Sequence, residues 1–145
     1  MSIAAITSDF ELLDDWEDKY RYVIELGRAL PPLPEAARTD ANKVRGCASQ
    51  VWLLTKIDPK TRIMTLQGDS DAHIVKGLVA ILFAMLNGLP AATILTADPM
   101  AEFAKLGLAE HLTPQRSNGL ASMVARIKAD ARGGVKSTGD EPLQK

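Results

Sequence analysis

The alternation of apolar and polar residues predicts helices at both ends of the chain and two strands between them. From Leu13 to Gly27, apolar side chains recur at helical spacing and the intervening positions are mostly charged. Ser8 followed by Glu11 has the capping-box pattern, so we expect a helix or a helix pair with a start at Ser8. Prolines within residues 31–34 end this helical part and impose an extended connection.

The middle of the chain has the pattern of an antiparallel hairpin. Residues 51–57 are apolar and rich in β-branched side chains, residues 58–61 have turn chemistry, and residues 62–67 alternate. Residues 44–47 are a candidate for a short strand that precedes the hairpin.

A strongly apolar helix follows the hairpin. Residues 68–71, Gly-Asp-Ser-Asp, are expected to end the second strand and to cap this helix. Residues 74–86 are apolar over most of the helical circumference, which indicates a central buried helix, and Asn87-Gly88 ends it.

The C-terminal third predicts three more helices. A short one covers residues 90–95, a second runs to Leu106 with Asp98 as its cap, and the last is expected to begin at Ser117. Gly133-Gly134 is expected to end the last helix. The pattern therefore predicts an α+β fold, a small antiparallel sheet packed with helices, as a single domain of residues 1–132 with a flexible tail of residues 133–145.

Composition narrows the class of protein. A chain of 145 residues with 46% hydrophobic and 24% charged residues is typical of one soluble globular domain. Its net charge of -1 argues against a nucleic-acid-binding protein, which would have a basic surplus. The first 20 residues do not have the pattern of a signal peptide, and the longest apolar stretch is too short to span a bilayer. We therefore expect a cytoplasmic protein with no membrane contact.

The single cysteine, Cys47, is the first candidate for chemistry. It lies in a loop between a cationic segment and an apolar strand, where a thiol is accessible to another molecule. Lys43 and Arg45 are expected to favour its thiolate, the reactive form. A reactive thiol and a merely structural cysteine both fit this position. One cysteine excludes an intrachain disulfide, and it excludes structural zinc and iron–sulfur sites built from several thiolates.

Arg116 is the second candidate. It lies near the predicted start of the last helix, where a cation opposes the helix dipole. Either it has an anion or thiolate partner, or it is an exposed, solvated arginine. A cysteine hydrolase would need a histidine paired with the thiolate, and neither His73 nor His111 lies in a motif of that kind.

Three segments of the chain carry the motifs of a known family. The first contains Cys47 and reads NKVRGCASQVWL, and the others read GDSDAHIVKGLVAILF and LTPQRSNGLASMVARI. In order and spacing these segments resemble the SufE family, the sulfur-acceptor proteins of iron–sulfur cluster assembly. The resemblance extends from about residue 6 to about residue 131. One departure is Ala48, at a position where the family commonly has glutamine.

The resemblance implies a fold related to the U-type cluster scaffolds and a sulfur-carrier function. Such proteins take persulfide sulfur from a SufS-like cysteine desulfurase, stimulate that enzyme and pass the sulfur to a cluster scaffold complex. Cys47 matches the acceptor cysteine, Arg116 matches an arginine near the cysteine loop, and Asp71 matches an acidic position at the base of the loop. Because the pyridoxal phosphate belongs to the desulfurase, no cofactor is expected in this chain. We expect the chain to be a monomer or a homodimer.

Two other functions remain open from the sequence. A paralogous adaptor would deliver sulfur from another desulfurase to an enzyme of tRNA or cofactor modification, and a pure binding protein would not need Cys47. In either sulfur-transfer case, positive charge beside the thiol predicts a partner interface that includes Lys43, Arg45 and Gln50. We also expect Cys47 to rest at an apolar pocket formed with Val51–Leu53, and to swing out to react.

Overall fold

The computed structural model describes residues 2–47 and 49–140, with side chains described through residue 133. It has seven α-helices and two β-strands within these residues. In chain order they are α1 Ile3–Leu12, α2 Trp16–Arg28, β1 Val51–Ile57, β2 Met64–Ser70, α3 His73–Leu86, α4 Ala91–Thr96, α5 Pro99–Lys105, α6 Leu108–His111 and α7 Pro114–Asp140. A single turn of 3-10 helix, Glu35–Ala37, lies between α2 and β1.

The α+β fold predicted from the sequence is confirmed. β1 and β2 pair as an antiparallel hairpin, with Val51 opposite Ser70 and Ile57 opposite Met64. The expected short strand at residues 44–47 is only a bridge between Lys43 and Trp52. It is closed by the Val44 amide, which donates to the Val51 carbonyl at 2.8 Å.

The first two helices begin at other residues than Ser8. The Ser2 hydroxyl accepts from the Ala5 amide at 3.1 Å and caps α1, and the Asp15 carboxylate accepts from the Asp18 amide at 2.9 Å and caps α2. Ser8 lies inside α1, so the predicted capping box is wrong. The helix begins earlier because Ile6 and Phe10 are both buried, which requires helical backbone from the first turn onward.

The segment Asp69–Asp71 does not cap α3. β2 continues through Ser70, and Ala72, which has no capping side chain, precedes α3. Asp69 is instead buried, with 5% of its side chain exposed, and pairs with Arg38 at 2.6 Å and Lys76 at 3.3 Å. The predicted cap is wrong because strand pairing continues through Asp69 and Ser70 and the Asp69 carboxylate is used in tertiary ion pairs.

The last helix is longer than expected at both ends. α7 begins at Pro114, and the Thr113 hydroxyl accepts from the Arg116 amide at 3.2 Å, so Ser117 is not its cap. The helix continues to Asp140, so the predicted end at Gly133-Gly134 is wrong. The division into a domain of residues 1–132 and a flexible tail stays a prediction, and residues 141–145 lie outside the described residues.

The core forms around α3, which is buried on most sides. α2 packs closely on it, because neither helix carries a Cβ where Gly27 faces Gly77. A Cβ at Gly27 would lie 2.6 Å from the Gly77 amide nitrogen. β2 and α1 also pack on α3, and α7 packs on α4 and β1, with Ile6, Leu120 and Ile127 among the fully buried side chains. In the described part of the chain, no helix has the length and apolar character that a membrane span requires.

Candidate functional site around Cys47

The cysteine loop, which carries Cys47 and connects Val44 to Gln50, bends back onto α7. Gly46 has a φ of 92°, in the left-handed region that glycine adopts most readily, and this bend turns the loop toward the helix. A Cβ at Gly46 would lie 2.5 Å from the Ser122 hydroxyl. The half-buried Cys47 thiol lies 3.5 Å from the Gly119 carbonyl oxygen, which it contacts as a weak donor. Ala48 lies outside the described residues.

A cavity of about 190 Å³ opens beside Cys47. α3 contributes Val75 and Leu78 to its wall, and the start of α7 contributes Arg116, Gly119 and Met123. The remaining lining residues are Ser49, Thr113 and Gln115. The expected pocket therefore exists, but helices α3 and α7 form it.

The residues expected to form the pocket lie elsewhere. Val51 and Leu53 are buried in the hydrophobic core, and the Trp52 ring lies under the Arg38 guanidinium, 5.1 Å from its centroid. The expectation was wrong because these strand residues, although adjacent in sequence to Cys47, do not line the cavity.

Arg116 brings positive charge into this cavity. It is half-buried in the first turn of α7, and its guanidinium makes no hydrogen bond or ion pair with any residue that the structure describes. A half-buried cation that no described residue neutralises favours an anion in the same cavity. The position fits an anion partner better than the exposed, solvated arginine that the sequence left open.

Burial sets the state of the Cys47 thiol. Loss of hydration raises its pKa above the ordinary value, so the resting thiol is neutral at pH 7. The expected lowering by Lys43 and Arg45 is wrong for this conformation. The Arg45 residue is exposed, and Lys43 is positioned by its backbone bridge to Trp52. Proximity in sequence did not bring either cation into the cavity that holds the sulfur.

Asp71 and Gln50 close the C-terminal end of the cysteine loop. The Gln50 amide donates to the Asp71 carboxylate at 3.0 Å, and the Asp71 amide donates to the Gln50 carbonyl at 3.2 Å. The Gln50 side chain adds a third contact to the same carboxylate at 3.4 Å. Asp71 therefore lies at the base of the loop, as the resemblance implied, and not in the cavity wall.

Sequence reasoning placed several cavity residues only in the core. Val75, Leu78 and Met123 belong to the apolar stripes that predicted α3 and α7, and nothing in those stripes marks a neighbour of Cys47. The sequence also gave no indication that Gly119 lies beside Cys47. Its conformation is helical, but a Cβ there would lie 3.4 Å from the Cys47 sulfur.

The two histidines belong to other contacts. His111 stacks on Trp16 with ring centroids 3.7 Å apart, and His73 is exposed at the first residue of α3. Neither is among the described residues that line the cavity. Among the side chains of residues 2–47 and 49–133, no cluster of three or more histidine, cysteine or acidic residues could hold a metal ion.

Comparison with known proteins identifies the family of the chain. The family model described as SufE: Fe-S metabolism associated domain matches residues 4–131. The chain belongs to the SufE family. An uncharacterised SufE-like protein of Rhizobium etli is 59% identical over 133 residues, which cover 90% of each chain. An uncharacterised SufE-like protein of Rhizobium meliloti is 54% identical over 134 residues, covering 91% of this chain and 96% of that one.

A solved structure of low sequence identity has the same fold. The solution structure of a hypothetical protein from Thermus thermophilus superposes with a TM-score of 0.75 at 22% identity. The match covers 94% of this chain and 100% of the other. At this identity the likeness concerns the fold alone, and the association with Fe–S metabolism comes from the SufE family model.

Proposed function

We propose that this SufE-family protein is a sulfur acceptor that takes persulfide sulfur onto Cys47. The observation that carries the proposal is the half-buried thiol at a cavity that also contains the Arg116 side chain, which has no partner among the described residues. The family's association with Fe–S metabolism supports it, since cluster assembly consumes reduced sulfur. The proposed donor is the active-site persulfide of a SufS-like cysteine desulfurase, whose pyridoxal phosphate stays with the donor.

The transfer is a thiol–disulfide type of exchange. The Cys47 thiol loses its proton, and the thiolate attacks the outer sulfur of the donor persulfide. A new S–S bond forms on Cys47 as the S–S bond of the donor breaks, and the donor cysteine leaves as a thiolate. Because burial raises the pKa of Cys47, the thiol becomes reactive when the loop leaves the cavity and enters the donor's site.

The cavity then holds the product. A persulfide anion on Cys47 extends one sulfur atom beyond the thiol, and a cavity of about 190 Å³ has room for it. Arg116 supplies a positive charge to that anion, and Val75, Leu78 and Met123 give the cavity an apolar side. We propose that Arg116 stabilises the persulfide anion once the loop has returned to the cavity, which makes Arg116 part of the site.

The proposed partner surface surrounds the loop. Arg45 and Gln50 are exposed and Lys43 is half-buried, so all three remain available to a docking protein. Their role in binding the desulfurase is part of the proposal. Asp71 acts through Gln50 by fixing the end of the loop on that surface.

Intact-mass measurement tests the proposal. The protein is mixed with a cysteine desulfurase and cysteine, and we expect the mass to increase by one sulfur atom, removable by a reducing thiol. Cys47→Ser keeps the fold and abolishes this increase, with a stability loss on the order of 1 kcal/mol or less, because the loop side chain is only half-buried. A serine variant that stimulates the desulfurase fully and still passes sulfur onward would exclude the carrier function.

Arg116→Gln removes the positive charge at position 116 but keeps a polar side chain there, and the same assay measures its effect. We expect it to slow the net accumulation of persulfide more than it weakens desulfurase binding, because without the cation the persulfide anion on Cys47 is less stable in the cavity and returns its sulfur more readily. Binding is measured by titration and transfer by the rate of mass increase. An unchanged transfer rate would return Arg116 to the role of a solvated surface residue.

A further inference from the structure

Arg126 on α7 holds the N-terminal base of the cysteine loop. Its Nη2 donates to the Ala41 carbonyl at 2.8 Å, and its Nη1 approaches the Lys43 carbonyl at 3.5 Å. Its Nε pairs with Asp130 at 3.3 Å, one turn further along α7. Asp130 also accepts from the Thr55 hydroxyl at 2.8 Å, which ties the arrangement to β1.

The segment that Arg126 holds is itself joined to the sheet. The Leu53 amide donates to the Asn42 carbonyl at 2.8 Å, and the Val44 amide donates to the Val51 carbonyl at 2.8 Å. Residues 41–44 are therefore fixed from two sides, by β1 and by Arg126. At the other end of the loop, the Asp71 carboxylate fixes Gln50.

Between these two anchored ends, the described residues of the loop are held less firmly. The Cys47 thiol donates to the Gly119 carbonyl at 3.5 Å, an ordinary length for a sulfur donor. A thiol is a weak donor, whereas the Arg126 guanidinium is a charged donor with a short bond to the Ala41 carbonyl and a longer one to the Lys43 carbonyl, and charge-assisted hydrogen bonds are the stronger class. The contacts thus distinguish a firmly held base from a less firmly held Cys47.

We infer that Arg126 is a positioning residue that keeps residues 41–44 in place when the loop that carries Cys47 opens. The inference deepens the proposed function, since it rests on the loop leaving the cavity to accept sulfur. With Arg126 in place, opening breaks the contact at Cys47 and leaves the base fixed by both β1 and α7. Without it, the base is held by β1 alone, and opening extends into residues 41–44 more readily.

The test is the rate at which a small alkylating reagent modifies Cys47 in the folded, free protein. We expect Arg126→Gln to increase this rate by about tenfold, which corresponds to about 1.4 kcal/mol in the opening equilibrium. Amide hydrogen exchange at Val44 and Leu53 should accelerate in the same variant, because both amides belong to the released base.

Lys128→Gln is the matched control. Lys128 is a half-buried cation on the same helix, and its Nζ donates to the carbonyls of Leu95 and Ala97, at the C-terminal end of α4. Its loss removes the same kind of contact from a segment without the cysteine, so we expect wild-type alkylation of Cys47. Arg126→Lys keeps the charge without the two-pronged guanidinium and should restore the rate only in part.

The outcomes distinguish a specific effect of Arg126 on the cysteine loop from a general loss of stability of the protein. Unfolding by denaturant is measured for each variant, and alkylation is compared under conditions where global unfolding is negligible. Wild-type alkylation in Arg126→Gln would overturn the inference, as would an equal increase in Lys128→Gln. Since alkylation needs neither desulfurase nor sulfur, the inference can hold even if the intact-mass test excludes Cys47 as an acceptor, and it can fail while that test succeeds.

Discussion

At the scale of single residues, burial and charge make opposite demands on Cys47. Burial raises the pKa of the thiol and keeps it neutral, whereas persulfide transfer needs the thiolate. Arg116 shares the cavity without a partner among the described residues, and it favours an anion once one forms. The resting thiol is therefore neutral, and the proposed transfer requires the loop to leave the cavity.

The raised pKa predicts how the reactivity of Cys47 depends on pH. The alkylation rate of the folded protein should increase with pH around a midpoint above the ordinary thiol value of about 8.5. In protein unfolded by denaturant, the midpoint should return to the ordinary value. A folded-state midpoint at or below that of the unfolded chain would contradict the neutral, buried thiol.

The same shift predicts a small dependence of folding stability on pH. A thiol with a raised folded-state pKa contributes stability that is complete below the unfolded pKa and is lost as pH rises through the folded pKa. The stability difference between wild type and Cys47→Ser should therefore decrease as the pH rises above the ordinary thiol pKa of about 8.5. Parallel denaturant titrations of the two proteins measure it, and a constant difference would count against the shift.

Gly119 offers a graded test of the contact beneath the sulfur. A Cβ at this position would meet the Cys47 sulfur at 3.4 Å, an ordinary contact, so Gly119→Ala should be tolerated. Alanine also gains about 1 kcal/mol of helix propensity over glycine, which favours equal or higher stability. Gly119→Val adds branches that displace the loop and should accelerate alkylation of Cys47. Slow, wild-type alkylation in the valine variant would show that the loop does not rest on α7.

At the scale of elements, the helix pair α2 and α3 depends on two glycines. A Cβ at Gly77 would lie 2.6 Å from a methyl carbon of Val23 and would also press on the Val23 carbonyl. Helix α7 carries Gly133 at an exposed position where a Cβ would meet nothing within 4 Å. Alanine at Gly77 therefore tests helix packing, and alanine at Gly133 tests helix propensity.

Alanine at these two glycines should have opposite effects. Gly77→Ala forces the helices apart and should destabilise the protein by about 1–3 kcal/mol or more. Gly133→Ala should stabilise the helix by about 0.5–1 kcal/mol, since α7 continues through this position. Denaturant unfolding measures both. Gly133→Ala without any gain would argue that the helix ends at Gly133, as the sequence pattern predicted.

At the scale of the whole molecule, charge is balanced overall and uneven near the loop. The net charge is -1, yet Lys43, Arg45 and Arg116 lie on the loop or at its cavity. Two acidic residues near the loop are engaged within the protein, since Asp69 pairs with Arg38 and Lys76 and the Asp71 carboxylate accepts from the Gln50 amide. A partner with an acidic rim fits this distribution.

Charge reversal at Arg45 tests the surface. The side chain is at an exposed position outside the cavity, so Arg45→Glu should leave stability unchanged and slow association with the desulfurase. The effect should be larger at low salt than at high salt, because ions screen exposed charges over about 10 Å at 0.1 M salt. Arg132→Glu, an exposed cation on the distant part of α7, serves as the control. Equal slowing in both variants would indicate a general charge effect.

Local pattern was sufficient for most elements of the fold. The period of apolar residues predicted β1 with its observed bounds, the central helix α3, and α5 with Asp98 as its cap. These features depend on neighbours within a few residues, which the sequence shows directly. The position of Cys47 in a loop followed from the same patterns, and the resemblance of three segments to the SufE family was confirmed by the family match.

Only the tertiary structure decided which side chains meet Cys47 and where the caps lie. Ser8, Asp69 and Ser117 have capping chemistry, but burial of α1 residues, strand pairing to Ser70 and the hydroxyl of Thr113 selected other helix starts. Gly119 and Arg126 lie more than 70 positions from the loop and reach it because α7 packs along it. A pKa raised by burial and a carbonyl held by a distant arginine depend on three-dimensional neighbours, and no local spacing encodes them.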